Sequence, residues 1–272
     1  MNRLYVTDLD GTLLNDEGRL SEYSFNAIKG LLEEGVYFTV ASARSVMSIQ
    51  NILRGLDLKL PIVSFNGAYV SDFKTGHHHH IQKITNTQLF DLLKESGVLV
   101  STHKANEDML YYAGSLSKGS QQYVDDRKSF YNVVVEPIDI LPADRDIMAY
   151  TLIDTYENLS KVKDRLDVYD DIIVDLWEDM YYKPWYWMSI HAKGATKANG
   201  IEILKQMIEV PFSDLVVFGD NTNDIEMFKC SDMAIAVDNA VDDLKVYASY
   251  TIASNTDNSV VKEIAKLEGI EI

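Results

Sequence analysis

The sequence predicts an α/β protein: a parallel sheet with helices on both faces, interrupted by an inserted α+β segment. Three observations predict it. Short β-type runs alternate with amphipathic helical stretches early in the chain, and the same rhythm returns late. The stretch between is far longer than a crossover between neighbouring strands, where loops of a few residues are the norm. Residues 1–82 and 190–272 are therefore expected to form one core, and residues 83–189 an inserted domain.

Taken in order, Leu4-Tyr5-Val6 opens a strand over residues 4–7, and Ser21 caps an amphipathic helix over 21–34. A second strand is expected at 36–41, a helix near 45–56 and a strand at 62–65, which gives a βαβαβ start. The run His77-His78-His79-His80, between Thr75-Gly76 and Ile81, reads as an exposed turn. Four consecutive loop residues seldom fix a metal geometry, so adventitious nickel or zinc binding fits it better than a functional ligand set. The middle segment carries β-type runs at Val133-Val134-Val135 and Ile172-Ile173-Val174, with helical stretches at 87–94 and 156–166. Its aromatic run from Tyr181 to Trp187 could stack on a sugar or a flat ring, but alternating aromatics on a strand more often pack a sheet face. The return to the core is expected as a helix over 197–208, a strand over 215–218, a short helix over 224–229, a strand over 234–237 and a terminal helix over 259–267.

Composition narrows the classes of function. With 46% hydrophobic and 25% charged residues over 272 positions, the chain reads as globular. No apolar run approaches the length of a membrane span, and with a strand entered by Leu4 no signal peptide is expected. The single cysteine, Cys230, excludes an internal disulfide, fits a reducing cytoplasm and reads as a small buried side chain. The formal charge of −17 repels nucleic acid and anionic lipid, so neither is expected as a partner. An anionic substrate would need a local basic site and a metal.

The residues that carry chemistry lie at strand ends. Asp8-Leu9-Asp10-Gly11-Thr12 follows an apolar run directly, and two acids one residue apart resist desolvation unless a cation joins them. A strand with a DG turn would look similar. Far along the chain, Val216-Val217-Phe218-Gly219-Asp220-Asn221-Thr222-Asn223-Asp224 repeats the pattern. Read alone, it could be a solvated turn capping the next helix. In an open parallel sheet the carboxyl ends of the strands share one crevice. Asp8, Asp10, Asp220 and Asp224 would then gather there and imply a hard divalent cation, magnesium (Mg2+) by default. Ser42-Ala43-Arg44 follows the second strand and opens toward a helix N-terminus, a natural anion site. Lys197 opens a helix after the insertion, where it could place a point charge on a phosphoryl oxygen or simply face solvent. Arg44 could meet substrate or pair with an acid.

With these residues in place, the chain resembles the haloacid dehalogenase (HAD) superfamily of phosphatases. It is most similar to the Cof-type subfamily, whose cap is inserted between the second and third motifs. The residues that carry the likeness are Asp8-Leu9-Asp10-Gly11-Thr12-Leu13, Ser42-Ala43-Arg44, Asn66-Gly67-Ala68, Lys197, Gly219-Asp220 and Asn223-Asp224, with Asp238-Asn239-Ala240 and Asn255 later. The resemblance implies a Rossmann-like parallel core with an inserted α+β cap domain. It implies Asp8 as the nucleophile that becomes an aspartyl phosphate and Asp10 as the general acid/base. It implies magnesium held by Asp8, Asp10 (through its backbone carbonyl), Asp220 and Asp224, the last directly or through water. Leu9, Ser42, the amide of Ala43, Lys197 and Asn223 would hold the substrate phosphate. The family often has Thr-Gly-Arg where this chain has Ser42-Ala43-Arg44, and Asp-Gly-Val where it has Asp257-Asn258-Ser259-Val260, which could shift a loop beside the site.

These residue types suit phosphoryl transfer. A phosphomonoester repels attack by its own charge, which magnesium and Lys197 would offset. An aspartate at position 10 favours a phosphatase or phosphotransferase. The expected function is a magnesium-dependent phosphatase of small phosphorylated metabolites, sugar phosphates foremost, working as a monomer or weak dimer. A phosphohexomutase and a non-catalytic phosphosugar-binding regulator remain the competing readings.

Overall fold

The computed structural model describes residues 3–104, 107–130, 135–179, 182–208 and 213–272. The chain divides into two compact units, one of Met1–Ile81 with Ala195–Ile272, the other Gln82–Gly194.

The first unit opens with β1 (Arg3–Thr7), α1 (Glu22–Glu33), β2 (Tyr37–Val40), α2 (Val46–Ile52), β3 (Ile62–Ser64), β4 (Tyr69–Ser71) and β5 (His78–Ile81). Ser21 caps α1, accepting the Ser24 amide at 3.0 Å, and Ala27, Ile28 and Leu31 turn inward one helical turn apart. The inserted unit follows with α3 (Gln88–Leu93), β6 (Val98–Lys104), β7 (Glu107–Ala113), α4 (Lys118–Phe130), β8 (Val135–Pro137), β9 (Asp146–Asp154), α5 (Tyr156–Leu166), β10 (Ile172–Glu178) and β11 (Tyr186–Ala192). Val133 and Val134, part of one expected β run, lie outside the described residues, as does Tyr181. The first unit then resumes with α6 (Lys197–Met207), β12 (Asp214–Gly219), α7 (Ile225–Lys229), β13 (Met233–Val237), α8 (Asp242–Lys245), β14 (Tyr250–Ile252) and α9 (Ser259–Glu268).

The core sheet runs in the order β14-β13-β12-β1-β2, and every pairing in it is parallel. Leu4, Tyr5 and Val6 on β1 are fully buried, as are Val216, Val217 and Phe218 on β12. Such continuous apolar runs belong to strands covered on both faces. Thr7 pairs with Phe218 on one side and Val40 on the other, so β1, β12 and β2 end level with one another.

Three expectations are corrected. Among the described residues, the strand at residues 62–65 pairs with the parallel sheet through one parallel bridge, Ala41 with Val63. It then forms an antiparallel β3-β4-β5 sheet, because Phe65, Asn66 and Gly67 take left-handed backbone angles and reverse the chain. The histidine run is not a turn: His78–Ile81 is β5, and His78 stacks on Tyr69 with ring centres 3.9 Å apart while its Nδ1 meets Ser71 Oγ at 2.7 Å. Strand alternation buries His78 and leaves His77 and His79 exposed. Cys230, expected inside, is exposed at the end of α7.

In the inserted unit the sheet order is β10-β11-β9-β6-β7-β8, antiparallel except for β7 with β8. Leu99, Leu110, Val124, Val135 and Ile153 form one of its buried clusters, with Trp185, Trp187 and Tyr123 against it. Trp185 and Trp187 therefore pack a sheet face, and Trp187 Nε1 donates to buried Asp179 at 2.5 Å. Among the described residues no helix is long and apolar enough to cross a membrane.

Candidate active site

The site grows from the level ends of β1, β2 and β12. The Asp8 amide donates to the Phe218 carbonyl at 3.0 Å, which makes Asp8 the last rung between β1 and β12. Gly11, at φ +75°, turns the chain back under the site, and a Cβ there would run into the Asp220 carboxylate. Only glycine fits. Thr12 Oγ1 donates to Asp220 Oδ1 at 2.9 Å. The Leu9 carbonyl accepts the Leu14 amide at 2.9 Å and closes the loop. Asn239 Nδ2 donates to the Gly11 carbonyl at 2.7 Å and Asn255 Nδ2 to the Leu14 carbonyl at 2.8 Å, so the two late asparagines pin this loop.

Lys197 joins the acids. Its Nζ lies 2.5 Å from Asp8 Oδ1 and 2.6 Å from Asp224 Oδ1, and all three side chains are buried. Thr196 caps α6 through the Asn199 amide, which places Lys197 on the first turn of the helix. Asp224 Oδ2 accepts the amides of Asp220 at 3.0 Å and Asn221 at 3.2 Å. A Cβ on Gly219 would stand 2.6 Å from that oxygen, so the missing side chain lets the loop close on Asp224.

Burial pushes the Asp8 carboxyl up to about 7; Lys197 pulls it down, and Asp224 and Asp10 push it further up. Burial, then Asp8 and Asp224, hold Asp220 well above the usual carboxylate range. For Lys197 burial opposes the ammonium, but Asp224 and Asp8 outweigh it and its pKa is raised. One cation thus faces three buried carboxylates.

Asp10 is oriented separately. Arg44 grips it with two bonds, Nε to Oδ2 and a terminal nitrogen to Oδ1, both at 2.6 Å. Arg44 therefore pairs with an acid, the second of the two roles open to it. Ser42 is buried, its amide donates to the Val63 carbonyl at 3.0 Å, and its Oγ accepts the Arg44 amide at 3.2 Å, leaving the hydroxyl proton to donate. Ala43 is not among the residues at positive φ, so the methyl group in place of the family's glycine imposes no left-handed strain. Asn223 Nδ2 donates to Asn66 Oδ1 at 3.1 Å.

The donor set fits a hard divalent cation. Asp8, Asp220 and Asp224 each bring a carboxylate oxygen within 4.8 Å of the others. Both oxygens of Asp224 already accept hydrogen bonds, whereas Asp8 Oδ2 and Asp220 Oδ2 make none among the described residues. A cation bound there would relieve the repulsion that raises both carboxyl groups.

All nine site residues expected from the sequence lie around these three strand ends and the start of α6. The sequence reading gave no role to Thr12, which orients Asp220, or to Asn66, which meets Asn223. Both lie inside motifs of the sequence, but their partners are 208 and 157 positions away, and no local pattern shows such a pairing.

A level row of parallel strand ends carrying buried carboxylates and one lysine defines a phosphatase-type hydrolase site. The sequence pattern of the haloacid dehalogenase-like hydrolases matches residues 5–264, and the chain belongs to that family, as a Cof-type member with an inserted cap. Its curated relatives include the 5-amino-6-(5-phospho-D-ribitylamino)uracil phosphatase YitU of Bacillus subtilis (strain 168), 26% identical over 265 residues and covering 95% of each chain. YcsE of the same strain, named for the same activity, is 25% identical over 269 residues, covering 96% of this chain and 94% of its own. A haloacid dehalogenase-like hydrolase from Bacteroides thetaiotaomicron superposes with a TM-score of 0.77 at 21% identity, over 98% of this chain and 100% of that one. That likeness shows the fold.

Proposed function

We propose that the protein is a magnesium-dependent phosphatase of small phosphomonoesters, sugar phosphates foremost, working through an aspartyl phosphate in a reducing cytoplasm as a monomer or weak dimer. The observation that carries the reading is the Asp8 carboxylate. One oxygen rests on Lys197 Nζ at 2.5 Å, and the other is uncommitted among the described residues, at the end of β1.

Asp8 attacks phosphorus, and the bond from phosphorus to the ester oxygen breaks as Asp10 gives that oxygen a proton. Asp10 then takes a proton from water, which attacks the aspartyl phosphate, frees inorganic phosphate and restores Asp8. Leu9, Ser42, the Ala43 amide, Lys197 and Asn223 hold the phosphoryl oxygens. Asp8, Asp220 and the Asp10 carbonyl would hold magnesium, with Asp224 directly or through water; when bound, the ion offsets phosphoryl charge. Arg44 keeps the Asp10 carboxylate in one orientation. Residues 83–189 act as the substrate-selecting cap, and 1–82 with 190–272 as the catalytic core. The phosphorylated ribityl compound in the names of YitU and YcsE supports a phosphate carried on a polyol or sugar.

The test is phosphate release from a panel of hexose, pentose, nucleotide and cofactor phosphates with magnesium present. Turnover by wild type and none by Asp8→Asn is expected. Inactivity of wild type across the panel would remove the reading, and interconversion of hexose phosphates without net phosphate release would make the protein a mutase.

A further inference from the structure

We infer that Asn66 is a positioning residue for phosphate: its side-chain oxygen holds the Asn223 carboxamide in the orientation that meets a phosphoryl oxygen. The inference rests on the phosphatase reading above, with Asn223 as one of its phosphate-holding groups.

Asn66 lies between β3 and β4 in a backbone that few side chains tolerate. Phe65 sits at φ 47°, Asn66 at φ 51° and Gly67 at φ 95°. An Asn-Gly pair at positive φ is what a tight hairpin turn asks for. Phe65 is not explained that way, because a bulky residue in the left-handed region is a strained outlier. Strain of this kind persists only where the surroundings over-determine it, and it gathers at functional sites.

The surroundings here are the other phosphate-holding elements. The Phe65 amide donates to the Arg44 carbonyl and the Asn66 amide to the Ser42 carbonyl, each at 3.0 Å. Gly67 lies so close to the Thr196 carbonyl that a Cβ would overlap it, and Thr196 is the cap from which Lys197 starts α6. The Asn66 side chain, on a residue only 4% exposed, accepts from Asn223 Nδ2 at 3.1 Å. One three-residue loop thus touches Ser42, the start of the Lys197 helix and Asn223, which reach the site from three separate parts of the chain.

A hairpin turn needs none of these side-chain bonds. Asn223 stands in the single turn Thr222–Asp224, where its carboxamide has no other partner among the described residues. By accepting one Nδ2 proton, Asn66 holds the Asn223 amide nitrogen in place and aims it. The second Nδ2 proton is left for a phosphoryl oxygen.

The test compares wild type, Asn66→Gly, Asn223→Ala and the double variant, with magnesium present. Glycine keeps the left-handed backbone while removing the acceptor. The probe is inorganic phosphate, read by calorimetry and as an inhibitor of p-nitrophenyl phosphate hydrolysis. Asn66→Gly is expected to weaken phosphate binding by about three- to tenfold and to raise KM in step, with kcat within about twofold. The melting temperature should hold, and Asn66→Gly should change nothing further once Asn223 is alanine. Unchanged phosphate affinity in Asn66→Gly, or losses that multiply in the double variant, would overturn the inference. If Asn66→Gly melts early, calorimetry below its melt compares Asn223→Ala with the double variant; further loss of phosphate affinity in the double variant overturns the inference. Phosphate binding without turnover of any phosphomonoester sinks the phosphatase reading alone. Turnover with unchanged phosphate affinity in Asn66→Gly sinks this inference alone.

Discussion

Asp8 and Asp10 stand two residues apart, yet their surroundings differ. Asp8 is buried among like charges and tied to one lysine, while Asp10 is gripped on both oxygens by Arg44 in a partly open setting. That asymmetry suits an attacking group and a proton carrier. Asp10→Asn is expected to lower kcat by about 10²- to 10⁴-fold while magnesium still binds; calorimetry with the metal and turnover of an alkyl phosphate would check the two halves. Lys197 carries a heavier structural duty. Lys197→Met leaves Asp8 and Asp224 facing each other unpaired in a buried site, and a loss of about 3–5 kcal/mol in urea unfolding is expected at neutral pH. Asn258 shows the opposite case, a departure that changes little. It takes φ 56° where the family has glycine, and its Oδ1 accepts from Ser21 Oγ at 2.5 Å and Ser24 Oγ at 3.1 Å, so the loop stays anchored.

At the scale of elements, the site depends on glycines that let backbones approach. Gly67 and Gly35 both sit at positive φ, but a Cβ on Gly35 meets nothing within 4 Å while one on Gly67 would overlap the Thr196 carbonyl. Gly35→Ala should therefore cost only the left-handed penalty, about 1–2 kcal/mol. Gly67→Ala should cost about 2–4 kcal/mol and weaken phosphate binding besides, because the start of α6 must move. Urea midpoints of the two variants, measured side by side, separate backbone strain from the lost contact. Element order along β1, β2 and β12 was legible from apolar runs ending in polar residues. The diversion of β3 was not. The run Ile62-Val63-Ser64 looks the same in a parallel sheet as in a hairpin, and what redirects it is the left-handed stretch behind it, held by bonds to Ser42 and Arg44.

For the whole molecule, magnesium probes the core unit and a buried histidine probes the inserted one. Chelation with EDTA should abolish turnover, and added magnesium should restore it and raise the melting temperature, since an ion that binds only the folded carboxylate cluster stabilises the fold by mass action. In the inserted unit, burial pushes the His191 imidazole down to about 4 from 6.5. The folded state then holds the neutral ring while the unfolded chain binds a proton. Stability from this residue is full above about 6.5, falls as pH drops toward 4, and is lost below that, by at most about 3 kcal/mol. Thermal melts across that window should show the slope, and His191→Gln should flatten it. By itself the sequence determined the α/β class, the inserted segment and the residue types at each strand end, because buried parallel strands and their polar terminations leave local patterns. Only the tertiary structure decided which acid Lys197 and Arg44 each serve, which carboxylate oxygens stay open to a cation, and that Asn66 meets Asn223. Those facts depend on side chains up to 208 positions apart meeting in one crevice, and such proximity is set by packing.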